Sequence, residues 1–119
     1  MVLAINERNF SQEVLDTSVP VLVNFWAPWC SVCRMINPFL TKFQAEWDGN
    51  IKLVSINADE NLKLANTYRL TTLPTVLVIK SGKVLYRLDR FRSRDDLRRA
   101  AEDLRGVLRE EEIEYRYTA

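Results

Sequence analysis

Histidine is absent from the 119-residue chain, cysteine occurs only twice and glycine three times. The first absence removes the commonest general base, the Ser/His and Cys/His nucleophile pairs, and most catalytic zinc sites. With so few glycines there is no glycine-rich phosphate loop, and no internal repeat or low-complexity tract is visible. Strong charge of either sign is also missing: 17 basic and 16 acidic residues leave a net charge of +1, which points neither to nucleic acid nor to an anionic membrane. No apolar run approaches the roughly 20 residues of a membrane span, and no basic n-region with an apolar h-region follows Met1. The expectation is a cytoplasmic protein without nucleic-acid or membrane partners, folded as one domain over residues 1–119.

The pattern that is present alternates strands with helices. Val19 to Ala27 (VPVLVNFWA) is a nearly continuous apolar run rich in β-branched and aromatic residues, as in a strand covered on both faces. From Val32 the apolar residues Met35, Ile36, Phe39, Leu40, Phe43 and Trp47 recur at helical spacing, predicting a long helix that ends near Gly49, with Pro38 inside it. A strand at Ile51 to Asn57 and a short helix around Asn61 to Tyr68 follow. TVLVIK and KVLYRL, spanning Thr75 to Leu88, flank Ser81-Gly82 and read as an antiparallel hairpin. Ser93 and Asp96 form a capping box for a last helix with the stripe Leu97, Ala101, Leu104 and Leu108. A short strand near Val2 to Ile5 and a helix through Phe10, Val14 and Leu15 come first. The order predicts an α/β domain, a mixed sheet with helices on both faces.

Both cysteines lie in one stretch, NFWAPWCSVCRM, from Asn24 to Met35, at the strand-to-helix junction. A structural zinc site needs four ligands and this pair supplies two, so a metal would have to be shared between two copies. A structural staple closing so short a loop would restrict the unfolded chain little. Two buried thiols acting as small hydrophobes is a further reading. Position favours a fourth: a helix N-terminus favours negative charge on Cys30, and Cys33 lies one turn deeper on nearly the same face. One sulfur presented and one held behind it suits two-step thiol–disulfide exchange.

FWAPWCSVCR is similar to the active-site segment of the thioredoxin family, whose usual form is FWAxWCGPCK. The likeness continues in PFL within the helix, INADEN after the second strand, and LPTVLVIKSGK. The resemblance implies a thioredoxin fold, with a central mixed β-sheet of about five strands flanked by about four helices. It implies a thiol–disulfide oxidoreductase with Cys30 as nucleophile, Cys33 as resolving thiol, and a cis Leu73-Pro74 peptide facing them. It implies no cofactor and no metal. The partners implied are disulfide-containing target proteins and a separate disulfide reductase as electron donor, with the chain itself a monomer. The alternative is a thioredoxin-fold protein-binding module with slow or vestigial redox activity.

Several positions depart from the family pattern. Arg34 replaces Lys, and Ser31-Val32 replaces Gly-Pro between the cysteines, a loss of proline that is expected to make the couple more oxidising. Asn24 stands where the family carries a buried Asp that helps move the resolving cysteine's proton, and Ser55 stands at the accompanying Lys. Asn24 can hydrogen-bond but cannot accept that proton. The two are expected to form a satisfied polar pair in the core, with Cys33 losing its proton to water and exchange slower or less general than usual. Arg90 occupies a glycine position of the substrate-facing loop, and with Arg87, Arg92 and Arg94 it forms either a solvated face or a surface that selects an acidic partner. Trp29 is expected to pack beside the core and flank the site, and Pro28 to shape the entry turn. The tail EEEIEYRYTA, about 110–119, is a C-terminal extension that either lengthens the last helix or frays.

Overall fold

The computed structural model describes residues 2–47, 50–91 and 93–118, with backbone alone from 111 to 118. Five strands form one mixed sheet in the order β1-β3-β2-β4-β5. They are β1 (Leu3–Ala4), β2 (Val21–Trp26), β3 (Lys52–Asn57), β4 (Thr75–Lys80) and β5 (Lys83–Leu88). β3 runs parallel to both β1 and β2, whereas β4 pairs antiparallel with β2 and with β5. The helices are α1 (Ser31–Glu46), α2 (Leu62–Thr67) and α3 (Arg94–Thr118), with a single π-helical turn at Ser11–Leu15 and a 3-10 turn at Ala58–Glu60.

β2 sits at the middle of the sheet and is buried from Val21 to Phe25, which explains its unbroken apolar sequence. Its alternate residues serve two cores. Leu22, Val76 and Val78 face α1 and α3, packing on Ile36, Leu40, Phe43 and Leu104. Val21, Val23 and Phe25 join Phe10, Val14, Val54 and Ile56 on the opposite face, where Leu64 and Tyr68 cover them. Asn24, two residues beyond Leu22, therefore points toward α1. This parity brings a polar side chain to the helix that carries the cysteines.

Local signals account for the joints. Ser81 and Gly82 both have positive φ (51° and 79°), the pair of left-handed residues that a tight hairpin turn requires. Asp96 N–H donates to Ser93 Oγ at 3.3 Å and Ser93 N–H to Asp96 Oδ2 at 3.2 Å, so the capping box forms at the start of α3. Three expectations about extent are corrected. The first strand is two residues long, the helix through Phe10 is one turn, and α1 ends at Glu46, capped by Trp47, rather than near Gly49, which lies outside the described residues. α3 continues to Thr118, so the tail lengthens the last helix.

Candidate active site

The chain leaves β2 at Trp26, turns through Ala27, Pro28 and Trp29, and enters α1 at Cys30. The turn is closed by the Cys30 N–H donating to the Ala27 carbonyl at 3.1 Å. Cys30 is the N-cap of α1, with extended backbone (φ −91°, ψ 104°). Its Sγ accepts a hydrogen bond of 3.2 Å from the Cys33 N–H, one of the donors a helix start leaves without an intrahelical partner. The two cysteines are joined as a disulfide, with Cα atoms 5.4 Å apart. Both are buried (4% and 3% exposed), so in this oxidised state neither residue is presented to solvent as the sequence reading expected. Bonding the sulfurs to each other draws both against Ala27, with Trp26 and Leu73 packed over them.

Leu73 arrives from the loop before β4, and the Leu73-Pro74 peptide is cis. Pro74 is buried, and Thr75 beside it closes the loop by donating its hydroxyl to the Thr72 carbonyl at 2.7 Å. The fold thus assembles the disulfide, Leu73 and Pro74 from segments some forty residues apart in sequence.

Beneath Cys33 a solvent-open hollow of about 370 Å³ is lined by Cys33, Arg34, Asn37 and Ser55, with Trp26 to Pro28 at its edge. Asn24 lies one contact deeper. It is 1% exposed, and its Nδ2 donates to Asn37 Oδ1 at 3.2 Å, while its Oδ1 is the one buried side-chain N or O atom without a partner among the described residues. The expected satisfied pair of Asn24 with Ser55 does not form. The two are neighbours in register on β2 and β3, but Asn24 turns to the helix and Ser55 to the hollow. Asn37 was missed from sequence, although its place four residues after Cys33 puts it on the same helical face.

Trp29 also differs from expectation. It is 70% exposed rather than packed beside the core, and its indole N–H donates to Asp59 Oδ2 at 2.9 Å. Asp59 is set by the turn after β3, where Asn57 Oδ1 accepts its N–H at 3.0 Å. No local signal could have identified Asp59, because the contact spans thirty residues. Ser31, Val32 and Arg34 are exposed on the first turn of α1, Arg34 with a guanidinium N–H 3.5 Å from the Pro28 carbonyl oxygen. Arg90 is exposed with φ +59°, a left-handed backbone that glycine adopts without strain. Arg87 turns away from the site, its guanidinium held by the Tyr68 and Arg69 carbonyls and by Asp89. Arg92 lies outside the described residues, and Arg94 begins α3.

Residues 1–103 match the sequence model of the family described as Thioredoxin. The chain is 44% identical over 79 residues to "Thioredoxin 1" of Nostoc sp., covering 66% of this chain and 74% of that protein. It is 39% identical over 84 residues to "Thioredoxin" of Haemophilus influenzae, covering 71% of this chain and 78% of that one. A chloroplastic relative, "Thioredoxin M-type" of Chlamydomonas reinhardtii, is 44% identical over 80 residues, 67% of this chain and 57% of its own length. A five-stranded mixed sheet, a cysteine pair bonded across the start of α1, a cis Leu73-Pro74 peptide whose leucine packs on that pair and these matches together place the chain in the thioredoxin family, as a thiol–disulfide oxidoreductase.

Proposed function

We propose that the chain reduces or exchanges the disulfides of protein partners through Cys30 and Cys33, in the cytoplasm, as a monomer and more slowly than a typical thioredoxin. Thioredoxins act on disulfide-containing proteins and are returned to the dithiol by a separate reductase, and this chain takes the same two kinds of partner. The observation that carries the reading is the hydrogen bond from the Cys33 N–H to Cys30 Sγ at the start of α1. In the reduced state this donor and the helix N-terminus favour negative charge on that sulfur. The Cys30 thiolate attacks one sulfur of the target disulfide, forming the Cys30–target bond and releasing the other target sulfur as thiolate. Cys33 then gives up its proton and attacks Cys30 Sγ, closing the Cys30–Cys33 disulfide and releasing the second target thiolate. Two electrons pass to the target, and the reductase returns two to the pair.

The slower rate rests on Asn24. A carboxamide accepts no proton, so the Cys33 proton leaves to water in the hollow shared with Asn37 and Ser55. The cytoplasmic assignment rests on cysteine use: the chain has two cysteines and both belong to the reactive pair.

The test is reduction of a generic protein disulfide with a dithiol donor, wild type against Cys30→Ser. Turnover by wild type alone supports the proposal; equal rates favour the other reading, a binding module with vestigial chemistry. Titration of the couple against glutathione should fit a two-electron transition.

A further inference from the structure

α1 and α3 do not close against each other along their outer edges, and the gap between them begins at the active site. Next to the cysteines, Val32, Met35, Phe91 and Leu97 line a small hollow of about 80 Å³. Leu97 also belongs to a larger hollow of about 340 Å³ floored by Phe39, Phe43 and Ala101. That hollow shares Glu46 and Arg105 with a third, of about 250 Å³, which reaches Trp47 and Arg109. The three make one trough, roughly 21 Å from Val32 to Glu46 at about 1.5 Å of helix rise per residue.

The floor of this trough is apolar and open at the cysteine end, where Val32 is 39% and Met35 56% exposed. Among the described residues its walls are basic: Lys42, Arg94, Arg98, Arg105 and Arg109 line it, against the single carboxylate of Glu46. Glu46 is already taken, by a two-pronged bond from Arg105 at 2.9 to 3.1 Å, with the Arg105 guanidinium 5.7 Å above the Phe43 ring. Arg98 has only an exposed contact of 3.6 Å to Asp95. Among the described residues, Lys42 and Arg94 have no carboxylate within ion-pairing distance. Across the disulfide, Trp29 is tied to Asp59, with Glu60 next in sequence, while Arg34 reaches the Pro28 carbonyl.

We propose that this trough docks an acidic, amphipathic segment of the target protein, lying beside the cysteine that Cys30 attacks. About six extended residues at roughly 3.3 Å each would fill it, apolar side chains on Met35, Leu97 and Phe39, and carboxylates toward Lys42, Arg94 and Arg98. Asp59 and Glu60 disfavour an acidic segment beside Trp29, so charge favours the trough over that position. The proposal rests on the exchange reading above for its link to turnover, although docking itself needs no chemistry.

Two disulfide-linked peptide dimers test it, each strand a cysteine followed by six residues, alternating Glu and Leu in one and Gln and Leu in the other. At low salt kcat/KM for the Glu peptide should exceed that for the Gln peptide by about fivefold or more, and 0.5 M salt should erase the difference. Arg94→Glu/Arg98→Glu should bring the ratio to about one or below, while Arg94→Lys/Arg98→Lys should retain most of it, which separates lost charge from lost fold. Equal rates for the two peptides in wild type would overturn the proposal. If neither peptide nor the small neutral disulfide bis(2-hydroxyethyl) disulfide is reduced, the exchange reading fails instead. Calorimetric binding of cysteine-free versions to the oxidised protein then decides the docking alone: preference for the Glu peptide supports it, and equal binding overturns it. Tighter binding of a single-stranded oligonucleotide at the same arginines would overturn it too.

Discussion

Asn24, in the central strand, and Asn37, on the outer surface of α1, are joined by a 3.2 Å hydrogen bond from Nδ2 to Oδ1. The bond ties the polar centre of the sheet to a solvent-facing position one helical turn past Cys33. It makes an exposed residue responsible for satisfying a buried one, and it leaves the other half of the Asn24 carboxamide without a protein partner.

Asn37→Ala should therefore destabilise the fold by about 1–2 kcal/mol, because it strands the buried Asn24 donor. An exposed position without such a tie would change stability by about 0.5 kcal/mol or less. Asn24→Leu removes donor and orphan acceptor together and is expected to be neutral or stabilising by about 1 kcal/mol. Urea denaturation of the two variants checks both; an Asn37→Ala midpoint equal to wild type would contradict the first.

A carboxylate introduced at the sheet centre should give Cys33 a base. Ser55 lines the hollow with Cys33 and is the register neighbour of Asn24, so Asn24→Asp with Ser55→Lys places an ammonium in the hollow and a carboxylate one contact behind it. Turnover near neutral pH should rise by roughly tenfold or more if the proton step limits exchange. No gain in the double variant would show that another step is limiting.

Trp29 contributes surface rather than stability. Being 70% exposed with one hydrogen bond to Asp59, its replacement by Phe should move stability by about 0.5 kcal/mol or less. Reduction of a protein disulfide should fall by about fivefold, as for an aromatic contact residue at an interface. A stability loss without a change in kcat/KM would assign Trp29 a structural role instead.

Alkaline stability should carry the signature of Tyr86. Burial, together with the hydrogen bond its hydroxyl donates to the Asp103 carboxylate, pushes this phenol from its ordinary 10.0 up to about 12. The neutral form is favoured in the fold, so its stabilising contribution is full below about pH 10 and is lost as pH rises to about 12. Tyr86→Phe should remove that part of the decline. Denaturation midpoints of wild type and variant should converge across this interval; a constant gap would contradict it.

Much of this was legible in the sequence because it was written in local pattern. The hairpin from Thr75 to Leu88 has the observed boundaries, since Ser81-Gly82 supplies the only turn its two runs allow. The Ser93 and Asp96 cap, the helix beginning after Cys30 and the central strand were equally local. The pairing of Asn24 and the exposure of Trp29 were misread. Each depends on where another element lies: α1 over β2, and the turn after β3 beside Trp29.

By itself the sequence determined the elements and the chemistry of the cysteine pair, because helical and strand periodicity, caps and turns act over a few residues. Only the tertiary structure decided which polar groups meet. Those contacts join residues 13 to 59 positions apart, and their geometry follows from how helices seat on a twisted sheet rather than from any spacing along the chain. The basic trough is of this second kind. Lys42 and Arg94 are ordinary surface residues in sequence, and they become one surface because α1 and α3 lie side by side on the same face of the sheet.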